Sequence, residues 1–223
     1  MSAVGEHPEP VVGQRSGQPA EQQSAEQPAE QPSAERPAER HRRVAATFSA
    51  RVAATTDWDA PTPVPEWVAR DVVSHLVAWF PPFLAGGSGI ELPAGPKASD
   101  DPAGAWRHHS AAVQEVLDDP GTAARIFAHA HLPECPLAEA IDRFYTTDVL
   151  MHTWDLARAG GQDDGLEPEE CAGLLAGMLP MDEVLRRSGH YGPAQPVSDD
   201  ADGTTRLMAF IGRDPHWQPP ARA

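Results

Sequence analysis

Thr147-Asp148-Val149-Leu150-Met151-His152-Thr153-Trp154-Asp155-Leu156-Ala157 continues an apolar helical pattern that opens at Leu137 and closes at Gly160-Gly161. Each residue of a helix turns the side chain by about 100°, so Leu137, Ile141, Phe144 and Tyr145 mark one stripe. Asp148 and His152, four residues apart, fall within roughly 20° of the line through Ile141 at the centre of that stripe. A helix that hides the four apolar side chains therefore hides a carboxylate and an imidazole with them. A carboxylate buried without a partner costs several kcal/mol, so it is neutralised, paired with a cation or bound to a metal. Arg143 and Arg158 lie well around the helix, and the one lysine, Lys97, is remote in sequence. That leaves a metal ion or a histidine from another helix as the expected neighbour.

Upstream, the apolar spacing predicts helices over 38–55, 66–80 and 102–117, with the quoted one over 137–159 and a fifth over 168–188. Pro65 suits the first turn of the second helix, and Gly160-Gly161 suits a left-handed cap on the fourth. A segment rich in Gly, Pro and Asp follows over 189–205, then a short apolar run from Arg206 to Ile211. Helices joined this way make an all-α fold, most simply an antiparallel bundle. Of the 223 residues 40% are hydrophobic, enough for one domain with a real core. The segment 1–37 is different: Ala-Glu-Gln recurs at 20–22, 25–27 and 29–31 between prolines, with little to bury, and is predicted disordered. The expected layout is a tail over 1–37, a helical domain over 38–217 and a short tail over 218–223.

The formal net charge of −16, from 33 acidic against 17 basic residues, argues against a nucleic-acid groove, because phosphate binding needs a basic surface. Neither a secretory apolar region nor a run long enough to cross a membrane is found, so a cytoplasmic protein is expected. Cys135 and Cys171 have no CxxC spacing and read as reduced thiols. Cys135, at the start of the fourth helix, reads as a bystander more readily than as an activated thiol. His108-His109 reads as an exposed helix face, and His129 with His131 as a loop pair.

A metal held by protein needs at least three donors. His75 supplies a candidate third, since Val68, Val72 and Trp79 lie on its side of the second helix. The segments Pro65-Glu66-Trp67-Val68-Ala69-Arg70-Asp71-Val72-Val73-Ser74-His75-Leu76 and Asp148-Val149-Leu150-Met151-His152-Thr153-Trp154-Asp155-Leu156-Ala157 together resemble the DinB-like superfamily. The nearest likeness is to the metal-binding N-terminal domain of mycothiol-dependent maleylpyruvate isomerases and their stand-alone actinobacterial relatives. It extends over roughly 44–217, taking in Tyr191-Gly192-Pro193, Thr205-Arg206-Leu207 and Pro215-His216-Trp217. The resemblance implies a DinB-like antiparallel four-helix bundle with a C-terminal helical or irregular extension. It also implies a divalent metal, zinc or nickel, on His75, Asp148 and His152. The isomerase branch has Glu where this chain has Asp148, a side chain one methylene shorter. Those isomerases carry a second C-terminal domain, whereas 188–217 reads here as an extension packed on the bundle. Maleylpyruvate itself is therefore not implied as substrate.

Three His and carboxylate ligands leave a fourth position open, the pattern of a catalytic metal. The resemblance implies that mycothiol, or another low-molecular-weight thiol, fills it and attacks an electrophilic substrate by transfer or isomerisation. Hydrolysis by a bound hydroxide uses the same geometry. Asp155, three residues past His152, is placed to accept the second N–H of that imidazole, or else pairs with Arg158 or a neighbouring backbone. Asp71 stands similarly before His75 but reads as a solvated surface charge. Two other readings stay open: a non-catalytic metal-binding or regulatory module, and a metal-free hydrogen-bonded network of the same three side chains. The residues leave substrate, metal and the choice between monomer and homodimer undecided.

Overall fold

The computed structural model describes residues 35–130 and 132–220. The predicted disordered tail lies outside them as far as residue 34, as does His131, and the C-terminal tail is described only to residue 220. The described chain is all-α apart from one small hairpin. Helix α1 spans Pro37–Ala54, α2 Ala69–Ser88 and α3 Pro102–Asp118. After a single turn at Pro120–Ala123, strands β1 (Ile126–Phe127) and β2 (Cys135–Pro136) pair antiparallel. Helix α4 follows as three consecutive segments, Leu137–Ala140, a π-turn at Ile141–Thr146, and Thr147–Gly160. Helices α5 (Pro168–Met178), α6 (Asp182–Arg187) and α7 (Gly203–Phe210) complete the fold. No helix among the described residues is long and apolar enough to cross a membrane.

Both α1 and α2 pack against α3 and α4, so the core lies among these four, while α5 packs on α7. Phe48 of α1 meets Trp106 of α3 edge-on at 4.4 Å, and Phe80 of α2 stacks on Tyr145 of α4 at 4.0 Å. All four rings are at most 1% exposed. Each such side chain contributes about 1.5–3 kcal/mol of burial.

Several boundaries differ from the sequence reading, each for a physical reason. Helix α2 starts at Ala69, not Glu66, because residues 60–69 fold back on themselves. Thr62 N–H donates to Trp67 O, Ala69 N–H to Ala60 O, and Glu66 takes φ 66° at the turn. Pro65 thus belongs to this turn and not to a helix. Asp71, read as a solvated charge, instead caps α2 by accepting the Val68 N–H at 2.9 Å. At its other end α2 runs through Pro81 and Pro82 to a left-handed Gly89. The missing donors cost helix stability, but burial of Leu84 and the docking of Phe127 on Gly87 outweigh them. A Cβ at Gly87 would lie 2.1 Å from that ring. The predicted fifth helix breaks at a 3-10 turn, Leu179–Met181, where Pro180 has no N–H to donate. The run ending at Ile211 is the buried side of α7, which Asp202 caps through Thr205 N–H.

The π-turn changes how α4 must be read. Thr147 N–H donates to Asp142 O, five residues back. The extra residue displaces everything after it by about 100° relative to a regular helix. The line through Ile141 therefore does not extend straight to Asp148. Burial of the downstream half survives because 149–157 is buried on every side.

Candidate metal centre

His75 comes from the middle of α2, and Asp148 and His152 from successive turns of α4 after the π-turn. His75 Nε2–H donates to Asp148 Oδ2 at 3.1 Å, and His152 Nε2 lies 3.5 Å from Asp148 Oδ1. One donor atom from each of the three residues lies within 4.8 Å of the other two. Donors around a tetrahedral zinc with bonds near 2.1 Å are about 3.4 Å apart. The observed spacings bracket that value with little rearrangement, so two imidazoles and a carboxylate fit a divalent cation. Exposure falls from the His75 side chain at 30% through Asp148 at 18% to His152 at 6%, so solvent reaches the group from the α2 side.

His152 is oriented from behind. Its Nδ1–H donates to Asp155 Oδ2 at 2.9 Å, leaving Nε2 facing Asp148 and His75. Asp155 is fully buried and also accepts two bonds from Arg213, Nε at 2.9 Å and Nη2 at 3.0 Å. Arg158, the partner considered from sequence, sits instead over the Trp154 ring and faces Asp164. A carboxylate that fixes the far nitrogen of a ligating histidine sets both its tautomer and its ring angle.

The electrostatics follow this layout. Burial pushes the Asp148 carboxyl up, but His152, His75 and the Trp79 N–H outweigh it, and the group stays below the usual carboxylate range. Burial presses His152 down, yet Asp148 and Asp155 raise it above an ordinary histidine. Asp155 is likewise held low, with burial overcome by His152 and Arg213. Tyr191 is pushed up to about 12 by burial and by Asp148, which places the 189–202 segment within electrostatic reach of the group.

Sequence reasoning missed three contributors. Trp79, placed by the sequence only on the His75 side of its helix, donates its Nε1–H to Asp148 Oδ2 at 2.9 Å. Its position four residues after His75 was a usable signal, since it puts both side chains on one face. Trp67 lies against both imidazoles, with ring centroids 5.1 Å from His75 and 5.7 Å from His152. Its placement depends on the 60–69 turn and had no local signature. Arg213, 58 residues from Asp155, could not be paired by spacing. Among the described residues the other candidates do not join the group. His109 is 6% exposed, which corrects the exposed-face reading of His108-His109. Cys135 sits in β2, and burial raises the Cys171 thiol.

Changing Trp79 to Phe keeps a ring and removes the donor to Asp148. The variant is expected to lose about 2 kcal/mol in urea unfolding, the worth of a hydrogen bond to a charged group. A loss below about half a kcal/mol would show that this bond is idle.

Comparison with known sequences gives no matching family model and no significant match to a solved structure. Two proteins of Mycobacterium tuberculosis do match, uncharacterized protein Rv0738 of strain H37Rv and uncharacterized protein MT0763 of strain CDC 1551. Each is 30% identical over 192 residues, spanning 78% of this chain and 95% of its own length. The chain belongs to the family of these uncharacterized mycobacterial proteins.

Proposed function

We propose that the chain is a DinB-like helical bundle that binds a divalent metal, zinc or nickel, through His75, Asp148 and His152. On this reading it uses a low-molecular-weight thiol of the mycothiol type to transfer to, or isomerise, an electrophilic small molecule. The observation that carries the reading is the convergence of three donors within 4.8 Å, with His152 locked by Asp155 so that Nε2 faces the other two. A divalent cation there supplies the charge that turns a coordinating thiol into its thiolate and polarises an electrophile. The chain's own residues do the rest. Asp148 collects the two imidazoles, Trp79 fixes its Oδ2, and the rings of Trp67 and Trp79 lie beside His75.

One observation favours a second reading, a metal-binding or regulatory module without catalysis. Two clefts on the protein lie elsewhere, one of about 490 Å³ between α1 and α3 and one of about 200 Å³ beside Trp154 and Asp202. Neither is lined by any of the three candidate ligands.

The test is metal content by mass spectrometry on untagged protein, comparing wild type with Asp148→Ala and His152→Ala after identical purification. About one zinc or nickel per chain is expected in wild type and near none in either variant, because each removes one of only three donors. Calorimetric titration of the metal-loaded protein with mycothiol then separates the readings, since heat of binding is expected for the thiol enzyme and none for the module. Absence of metal even after reconstitution would leave the internally paired network in its place.

A further inference from the structure

A second polar group sits in the core, apart from the three candidate ligands and used by none of the chemistry above. His41 of α1, His109 of α3 and Tyr145 of the α4 π-turn converge there. The His41 and Tyr145 rings have centroids 5.8 Å apart, and those of His109 and Tyr145 are 5.5 Å apart. His41 and Tyr145 are 0% exposed and His109 is 6% exposed. Each of the three presents a buried polar atom without a protein partner: His41 Nε2, His109 Nε2 and the Tyr145 hydroxyl. Native cores rarely leave such atoms unsatisfied, and both imidazoles lie against the one Tyr145 ring, which points to a partner shared around it.

The π-turn explains how they meet. Consecutive residues of a regular helix diverge by about 100°, yet Tyr145 and Thr146 are both fully buried and both meet α1. Thr146 Oγ1 lies 2.9 Å from His41 Nδ1, and Tyr145 lies against the same imidazole. The His41 ring is thus held at one nitrogen and open at the other.

We propose that His41 Nε2, His109 Nε2 and the Tyr145 hydroxyl form a binding site for a single internal water molecule that joins α1 and α3 to the π-turn. Internal waters typically make about three hydrogen bonds to otherwise unsatisfied groups, which is the number offered. The ligand must be neutral and must both donate and accept. Burial holds His41 and His109 down to about 4 and pushes the Tyr145 phenol well above its usual value, so at neutral pH the site carries no charge. An anion would need a donor at all three atoms, and a metal cation would need a lone pair at both imidazoles and a phenolate. Water satisfies any tautomer of the two imidazoles.

The experiment is water-to-protein NOE spectroscopy on the full isotope-labelled chain, with oxygen-17 relaxation dispersion to count long-lived waters. Wild type is expected to show negative water cross-peaks to ring protons of both His41 and His109. A Tyr145→Phe, His109→Leu variant is expected to lose them and to hold one long-lived water fewer. Absence of a long-lived water at either imidazole in wild type overturns the proposal. So does a stoichiometric metal that persists when Asp148 and His152 are both replaced by alanine, because that metal would occupy these histidines. If the double variant does not fold, the wild-type spectrum decides alone, and neither readout depends on metal at the first site.

Discussion

Asp155→Ala is expected to cost about 3–5 kcal/mol of stability, a large share of the 5–15 kcal/mol that holds a domain together. The reason lies less in what the carboxylate contributes than in what its loss strands. Asp155 is fully buried and takes two N–H bonds from Arg213, whose own side chain is 14% exposed. Alanine leaves that guanidinium without its ion-pair partner, with only the more distant Asp148 charge to answer it, and frees the His152 Nδ1–H as well. Removing both ends of a buried pair is far milder than removing one. Asp155→Ala with Arg213→Met should therefore recover most of the lost stability. Urea unfolding of the two variants beside wild type checks this. A single variant within 1 kcal/mol of wild type would mean that the pair does not bear on the core.

The second large effect is acid sensitivity above the range where carboxylates protonate. His41 and His109 are held at about 4 in the folded chain, by burial first, then by His109 and Arg40 for His41 and by His108 for His109, against 6.5 as ordinary histidines. Both are neutral when folded, and the unfolded chain binds their protons more readily. Stability is therefore complete above about pH 6.5 and drains as pH falls towards 4. The loss is about 2 kcal/mol per histidine between pH 7 and pH 5. His152, Asp148 and Asp155 do not mimic this. His152 is raised, so its contribution is full below the ordinary histidine value and is lost only as pH rises through its folded value. Asp148 and Asp155 are lowered, so theirs persists until pH falls below the ordinary carboxylate range. Urea midpoints at pH 7, 6 and 5 measure the slope, and His109→Gln should reduce it by about half. A flat midpoint over that interval would refute the assignment of two buried neutral imidazoles.

The helices were legible wherever one face of a segment is apolar and the ends carry Pro, Asp or Gly, as at Pro102 and Gly161. They were illegible where tertiary contacts overrule local rules. Pro81 and Pro82 look like a stop and are not one, because Leu84 and Phe127 lock the extra turns. The π-turn had no signature in residue types, so a straight extrapolation from Ile141 misjudged the angle of Asp148, although that carboxylate does meet His75 and His152. The proximity of Asp148 to His152 and the bond from His152 to Asp155 could be read from spacing because each is local, whereas His75 was offered by its helix face and by the family resemblance. Arg213 and Trp67 could not, since a buried carboxylate requires some cation without saying which, and a ring held by a turn depends on the whole turn.

The bond between Arg213 and Asp155 also bears on the order in which the protein is made. A growing chain that has emerged through α4 already contains His75, Asp148 and His152, yet the guanidinium that pairs with Asp155 follows 58 residues later. Without Arg213, Asp155 keeps only the His152 N–H as a partner, and enclosing a carboxylate so poorly compensated is costly. A chain truncated before residue 213 is therefore expected to be cut by protease faster than one that carries Arg213, and equal rates would show that the pair does not govern closure of this part of the core.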